Sequence, residues 1–137
     1  MSVRKGDQKT SDFGVVDKSR LLTKYTHDRV KDTNIFPKAQ RWLIAKSIWD
    51  GAVNSRACIV RANAIRVETR EDANKRLLIE KEAIGWLEHL TSLIDVCNIC
   101  GYISDDRAEY WGSLAADTLN ATKGWLKSDR ARYKNIE

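Results

Sequence analysis

Cys97-Asn-Ile-Cys100 is the spacing in this chain that most suggests chemistry, because two thiols three residues apart can grip a metal ion or form a redox couple. A closed metal site needs further ligands. The only histidines are His27 and His89, and no second ligand pair stands nearby. Cys97 also falls on the apolar arc of its helix, so the three cysteines read as free thiols, with no metal or cofactor expected. Glu88-His89 sets a carboxylate beside an imidazole, yet neighbours on a helix do not face each other. The sequence has no Gly-rich phosphate loop, no HExxH and no nucleophile elbow. The chain reads as a non-enzyme. A polar cluster in the core would reopen catalysis, and the apolar seams described below contain little material for one.

Binding is the better-represented chemistry. The net charge is +5, and its distribution is uneven: residues 1–38 hold nine Lys/Arg against five Asp/Glu, 39–70 six against two, and 71–102 three against six. Arg20, Lys24, His27 and Lys31 recur at helical spacing opposite Leu22, and Lys123, Lys127, Arg130 and Lys134, with Arg132 beside them, recur opposite Trp111 and Trp125. Rows of point charges and forked guanidinium donors suit a phosphate backbone, and charged outer faces are equally what any bundle shows. Lys46 and Arg56 lie at the margin of an apolar stripe and extend the candidate nucleic-acid set. Trp42 and Trp49 invite comparison with base-stacking platforms, but their alignment with Val53, Val60 and Val67 favours interface packing.

These residues need a scaffold, and 137 residues suffice for one domain. With 42% hydrophobic and 31% charged residues the composition is globular, and no apolar run reaches the length of a membrane span. Met1-Ser-Val-Arg-Lys carries no apolar secretion segment behind it, so a soluble, cytoplasmic protein is expected. Residues 1–12 are polar and unpatterned and read as a flexible basic tail ahead of a helical domain at 13–137. One proline and long periodicities near 3.5 predict helices over about Val15–Lys31, Pro37–Val67, Thr69–Cys100 and from Ser104 onward. Thr69-Arg-Glu-Asp72 is a capping-box pattern, Gly101 is placed to stop the third helix, and Ser104-Asp-Asp starts the fourth. The expected inner arcs are Leu77, Ala83, Ile84, Leu87, Leu90, Thr91, Ile94 and Cys97 on the third helix. On the fourth they are Trp111, Leu114, Thr118, Ala121 and Trp125. Short turns join them into an antiparallel up-and-down four-helix bundle of the all-α class.

The second helix carries two apolar stripes. Ile44, Ile48, Gly51, Ser55, Cys58, Ala62 and Ile65 repeat at alternating steps of four and three, as a bundle seam does. Trp42, Trp49, Val53, Val60 and Val67, flanked by Ala57 and Ala64, lie roughly 140–180° around the helix at about 100° per residue. Two opposed stripes ask for two partners, so a homo-oligomer is expected, with the second stripe as its interface.

Several short motifs then occur in order: Phe36-Pro37-Lys38 followed by Arg41, Arg61-Ala62-Asn63, Gly101-Tyr102-Ile103-Ser104, and Gly124-Trp125-Leu126-Lys127-Ser128. Over about residues 17 to 130 the chain resembles the four-helix-bundle family of accessory variability determinant proteins of diversity-generating retroelements. Ala83-Ile-Gly-Trp-Leu-Glu-His-Leu-Thr91 is similar to a related branch encoded in intervening sequences of 23S ribosomal RNA genes, whose Asn-Ile-Ala-Glu-Gly motif is absent here. The retroelement resemblance implies a bacterial or phage-encoded homopentameric barrel that binds the element's reverse transcriptase and template RNA or cDNA in support of mutagenic retrohoming. Glu88 and Ser92 depart from it, standing where such proteins often carry arginines. The alternatives are an intervening-sequence-type bundle protein and a structural oligomer that bridges proteins without touching nucleic acid.

Overall fold

Two of the helix starts are set by side chains that satisfy first-turn amides. Thr69 Oγ1 accepts from the Asp72 amide at 3.2 Å while Asp72 Oδ2 accepts from the Thr69 and Glu68 amides at 3.2 and 3.0 Å, closing a capping box. Ser104 Oγ accepts from the Arg107 amide at 3.2 Å, with Asp105 and Asp106 in the first turn behind it. A computed structural model describes the backbone of residues 2–137 and the side chains of residues 14–39 and 43–137. Among the described residues the chain forms four helices and no strand.

Helix α1 is Ser2–Val30. Helix α2 covers residues 38–64 as Lys38–Gln40, a wide π-helical turn at Arg41–Ala45, and Lys46–Ala64. Helix α3 is Arg70–Ile99 and α4 is Asp105–Arg132. α1 thus begins upstream of the Val15 expected from periodicity, and its backbone runs through residues 2–12, where the unpatterned sequence suggested a tail; the side chains of residues 1–13 lie outside the described residues. α2 ends three residues short of Val67, because Ile65 turns to an extended backbone (φ −77°, ψ 115°). Gly101 opens the α3–α4 turn with φ +80°, a left-handed conformation that glycine adopts without a Cβ penalty.

Each helix packs on its neighbours in sequence, and α4 closes the bundle against α1. Contacts that run in opposite senses fix the antiparallel order: Arg56 meets Val16 and Ser19 while Trp49 meets His27, and Arg76 meets Asp129 while Asn98 meets Asp105. Trp111 is fully buried and donates its indole N–H to Thr26 Oγ1 at 3.1 Å, tying α4 to α1 across the core. α2 and α3 pack closely at Gly51, where an added Cβ would stand 3.3 Å from the Leu90 Cβ.

The α2 seam is buried as its spacing predicts, from Ile44 through Ala62, with Ile65 half-buried at the end. The inner arcs of α3 and α4 need correction. On α3, Leu77, Ile84 and Thr91 are half-buried at the flank, and the buried row is Ala73, Arg76, Glu80, Ala83, Leu87, Leu90, Ile94 and Cys97. On α4, Ala115 and Thr122 replace Leu114 and Ala121, giving Trp111, Ala115, Thr118, Thr122, Trp125 and Asp129. Both rows are unbroken three-four repeats. Thr118 and Thr122 are buried without penalty because each hydroxyl donates to the carbonyl four residues earlier, at 2.8 and 2.7 Å.

Candidate functional site

The two basic stripes occupy opposite ends of the bundle. Tyr25 and Thr26 lie level with Trp111, so Lys123 is roughly 18 Å further along α4 at about 1.5 Å per residue. Arg20, Lys24 and His27 are exposed on α1, and Lys31 is exposed just past its end. Asp28 neutralises part of this end: Lys24 Nζ lies 3.1 Å, His27 Nδ1 3.3 Å and Lys31 Nζ 3.8 Å from its Oδ1. The hydrogen bonds from Lys24 and His27 hold the Asp28 carboxyl below its usual range. Lys46 pairs similarly with Asp50 at 3.1 Å.

The far end is less compensated. Lys123, Lys127, Arg130 and Lys134 are exposed, and among the described residues no carboxylate stands within ion-pair distance of any of them. Arg70 folds the chain after α4 back onto the bundle, donating from Nη2 to the Tyr133 and Lys134 carbonyls at 2.6 and 2.9 Å and from Nε to Ile136 O at 3.0 Å. The Lys134 backbone, just past the end of α4, is thereby held to the start of α3. Two predicted members of the nucleic-acid set serve the fold instead of standing free. Arg56 is half-buried, with Nη1 donating to Val16 O and Ser19 Oγ, both at 2.9 Å, as a clamp between α1 and α2. Arg132 lies 3.3 Å from Asp129 Oδ1 and packs on the Tyr133 ring.

The second stripe of α2 divides. Val53 and Val60 are 39% and 44% exposed, Ala57 and Ala64 are exposed beside them, and Val67 is half-buried in the following turn. Trp49 is turned toward α1, half-buried with its ring 5.7 Å from the His27 ring. Trp42 lies outside the described side chains. α1 therefore covers the Trp49 and Arg56 side of the stripe and leaves its valine and alanine side open.

Sequence reasoning missed a buried polar cluster at the basic end. Arg76, 6% exposed, donates from Nε to Asp129 Oδ2 at 2.8 Å and to Glu80 Oε2 at 3.3 Å, and from Nη1 to the Ile65 carbonyl at 3.2 Å. Its guanidinium also lies 5.2 Å from the Trp125 ring centre. Glu80 and Asp129 are both fully buried. Burial, reinforced by a hydrogen bond and charge repulsion from Asp129, pushes the Glu80 carboxyl up to about 9, so it keeps its proton at neutral pH. Glu80 Oε1 makes no other hydrogen bond and Asp129 Oδ1 has only the Arg132 ion pair at 3.3 Å, so a proton on Glu80 lets the two carboxyls share it. The missed signal was the three-four spacing 73, 76, 80, 83 on α3, which runs straight through two charged positions.

This cluster ties α2, α3 and α4 together and is sealed. Neither of two surface grooves reaches it. One, of about 590 Å³ between α3 and α4, is lined by residues including Glu88, Thr91, Asp95 and Gly112; the other, of about 770 Å³ between α1 and α2, by residues including His27, Lys31, Lys38, Lys46 and Trp49. Cys97 is buried, its thiol pushed up to about 12 by burial, and Cys100 is exposed. No cluster of three metal-ligating side chains occurs among the described residues.

These features define an all-α four-helix chain with cations at both ends and a partly open apolar stripe. No protein-family model, curated protein or solved structure matches it. No described helix is long and apolar enough to cross a membrane.

Proposed function

We propose that this chain is a non-catalytic, homo-oligomeric nucleic-acid-binding protein, serving as accessory subunit of a diversity-generating reverse transcriptase and binding its template RNA or cDNA. The observation that carries the binding reading is the exposed row Lys123, Lys127, Arg130 and Lys134, which no described carboxylate neutralises. Counterions released from a phosphate backbone by four such cations supply affinity without sequence preference. The retroelement setting, the polymerase partner and the pentameric number rest on the resemblance of the ordered motifs. Repetition of the row around an oligomer would multiply a modest patch into a high-avidity surface.

Changing Lys123, Lys127, Arg130 and Lys134 together to Gln is expected to weaken binding to an RNA or an RNA/DNA hybrid more than tenfold at about 0.1 M salt. The slope of log K against log salt should fall by about 3, at roughly 0.7–0.9 per lost contact. Unchanged affinity and slope in a filter-binding titration would remove α4 from the account.

The assembly is tested on the open part of the stripe. Val53→Glu with Val60→Glu sits on exposed positions, so helicity by circular dichroism should survive while light scattering reports a smaller particle. A mass that does not change would place the interface elsewhere.

A further inference from the structure

We infer that the groove between α1 and α2 is a binding site for single-stranded nucleic acid, in which an unpaired base stacks on Trp49 and the flanking phosphates are held by Lys31, Lys38 and Lys46. The inference rests on the proposed nucleic-acid function and assigns it a second, structurally distinct site at the opposite end of the bundle from the α4 row. The groove, of about 770 Å³, combines the two groups that single strands require: an aromatic side chain and cations beside it. Trp49 is half-buried, so its ring is anchored on the bundle and backed edge-on by His27 at 5.7 Å while part of it remains open to the groove. An anchored ring loses little freedom when a base lies on it.

Charge selects the occupant. Lys31, Lys38 and Lys46 are all exposed, and Lys38 has no carboxylate within ion-pair distance among the described residues. Three carboxylates on α1, α2 and the turn between them at this end, Asp28, Asp32 and Asp50, stand against four lysines, Lys24, Lys31, Lys38 and Lys46. A second copy presenting the same lysine-lined groove would be repelled from it, whereas a polyanion would release counterions on entry. A duplex keeps its bases paired and stacked inside, so it can meet the lysines but not the indole.

The test measures fluorescence anisotropy of a labelled 12-nucleotide oligo(dT) and of a 12-base-pair duplex against the full chain. Trp49→Leu keeps an apolar side chain against α1 and removes the stacking face; it should weaken the single strand about tenfold and the duplex less than twofold. Changing Lys31, Lys38 and Lys46 together to Gln, all at exposed positions, should weaken both probes and lower the salt dependence of each. Equal loss of both probes in Trp49→Leu, or no loss of the single strand, overturns the stacking site while leaving the α4 reading intact. A drop in particle mass by light scattering in either variant would show that a second copy occupies the groove, and overturns it too. Failure of the wild-type chain to bind either probe would overturn the nucleic-acid function itself, a different result from the selective failures above.

Discussion

Asp129→Ala should destabilise the folded chain by about 3–5 kcal/mol, because it removes the main carboxylate partner of a buried arginine and leaves the charge behind. Arg76 cannot escape to solvent without breaking the core, since its side chain is 6% exposed and lies against the Trp125 ring. Its remaining carboxyl neighbour, Glu80, is held protonated at neutral pH in the native cluster. Deleting Asp129 would therefore force Glu80 to surrender its proton, or leave the guanidinium with the Ile65 carbonyl and a neutral acid. Either outcome costs stability. In a chain of this size the melting temperature should fall on the order of 10 °C or more. Asp129→Asn keeps the shape, can still accept one hydrogen bond, and should cost less. If urea unfolding gives a loss below about 1 kcal/mol for the alanine variant, the cluster is more hydrated than its burial indicates.

Glu80→Gln should act in the opposite direction, and its effect should grow with pH. The folded-state carboxyl is raised from 4.5 to about 9, so between those values the folded chain holds a proton that the unfolded chain has released. Stability carried by that proton is complete below about pH 4.5 and is lost as pH rises toward 9, at up to about 1.4 kcal/mol per pH unit. Glutamine is neutral at every pH and cannot contribute this slope. The difference in unfolding free energy between Glu80→Gln and wild type should therefore move steadily in favour of the variant from pH 5 to pH 9, reaching several kcal/mol. Taking the difference cancels the titration of other groups common to both chains. Parallel stability curves over that range would mean that Glu80 ionises in the folded state and that Arg76 is shared between two carboxylates.

Both expectations concern residues whose role was hard to see in one dimension. Arg76 and Glu80 look like an ordinary surface pair four residues apart, and a reading that expects charge to face water places the inner arc on Leu77 and Ile84 instead. Asp129 looks like a solitary acid among the surface cations of α4. Only when the start of α3 lies against the end of α4 do the three become one buried group, a juxtaposition that joins residues 53 positions apart. The same applies to Arg56. Its spacing marked it as a cation near the rim of an apolar stripe, while the packing of α1 turned it into a donor to Val16 and Ser19.

Local signals were read more securely. Thr69, Gly101 and Ser104 act within three or four residues of their own positions, so the capping box, the left-handed turn and the N-cap are present where their residue types predict. The α2 seam was legible for the same reason, since each member is a small or apolar residue at the repeat of a helix face. Val53 and Val60, on the second stripe, are exposed in the single chain.

By itself, then, the order of residues determined four helices, the caps of α3 and α4, most of their inward faces and the positions of the cationic rows, because helix periodicity and capping are short-range effects. Tertiary structure alone decided that the two cationic rows lie at opposite ends, that Trp49 leans on α1 beside a lysine-lined groove, and that an arginine and two acids share the core. Those outcomes depend on which helix lies against which and at what register, and that is settled by the summed packing of whole faces rather than by any segment.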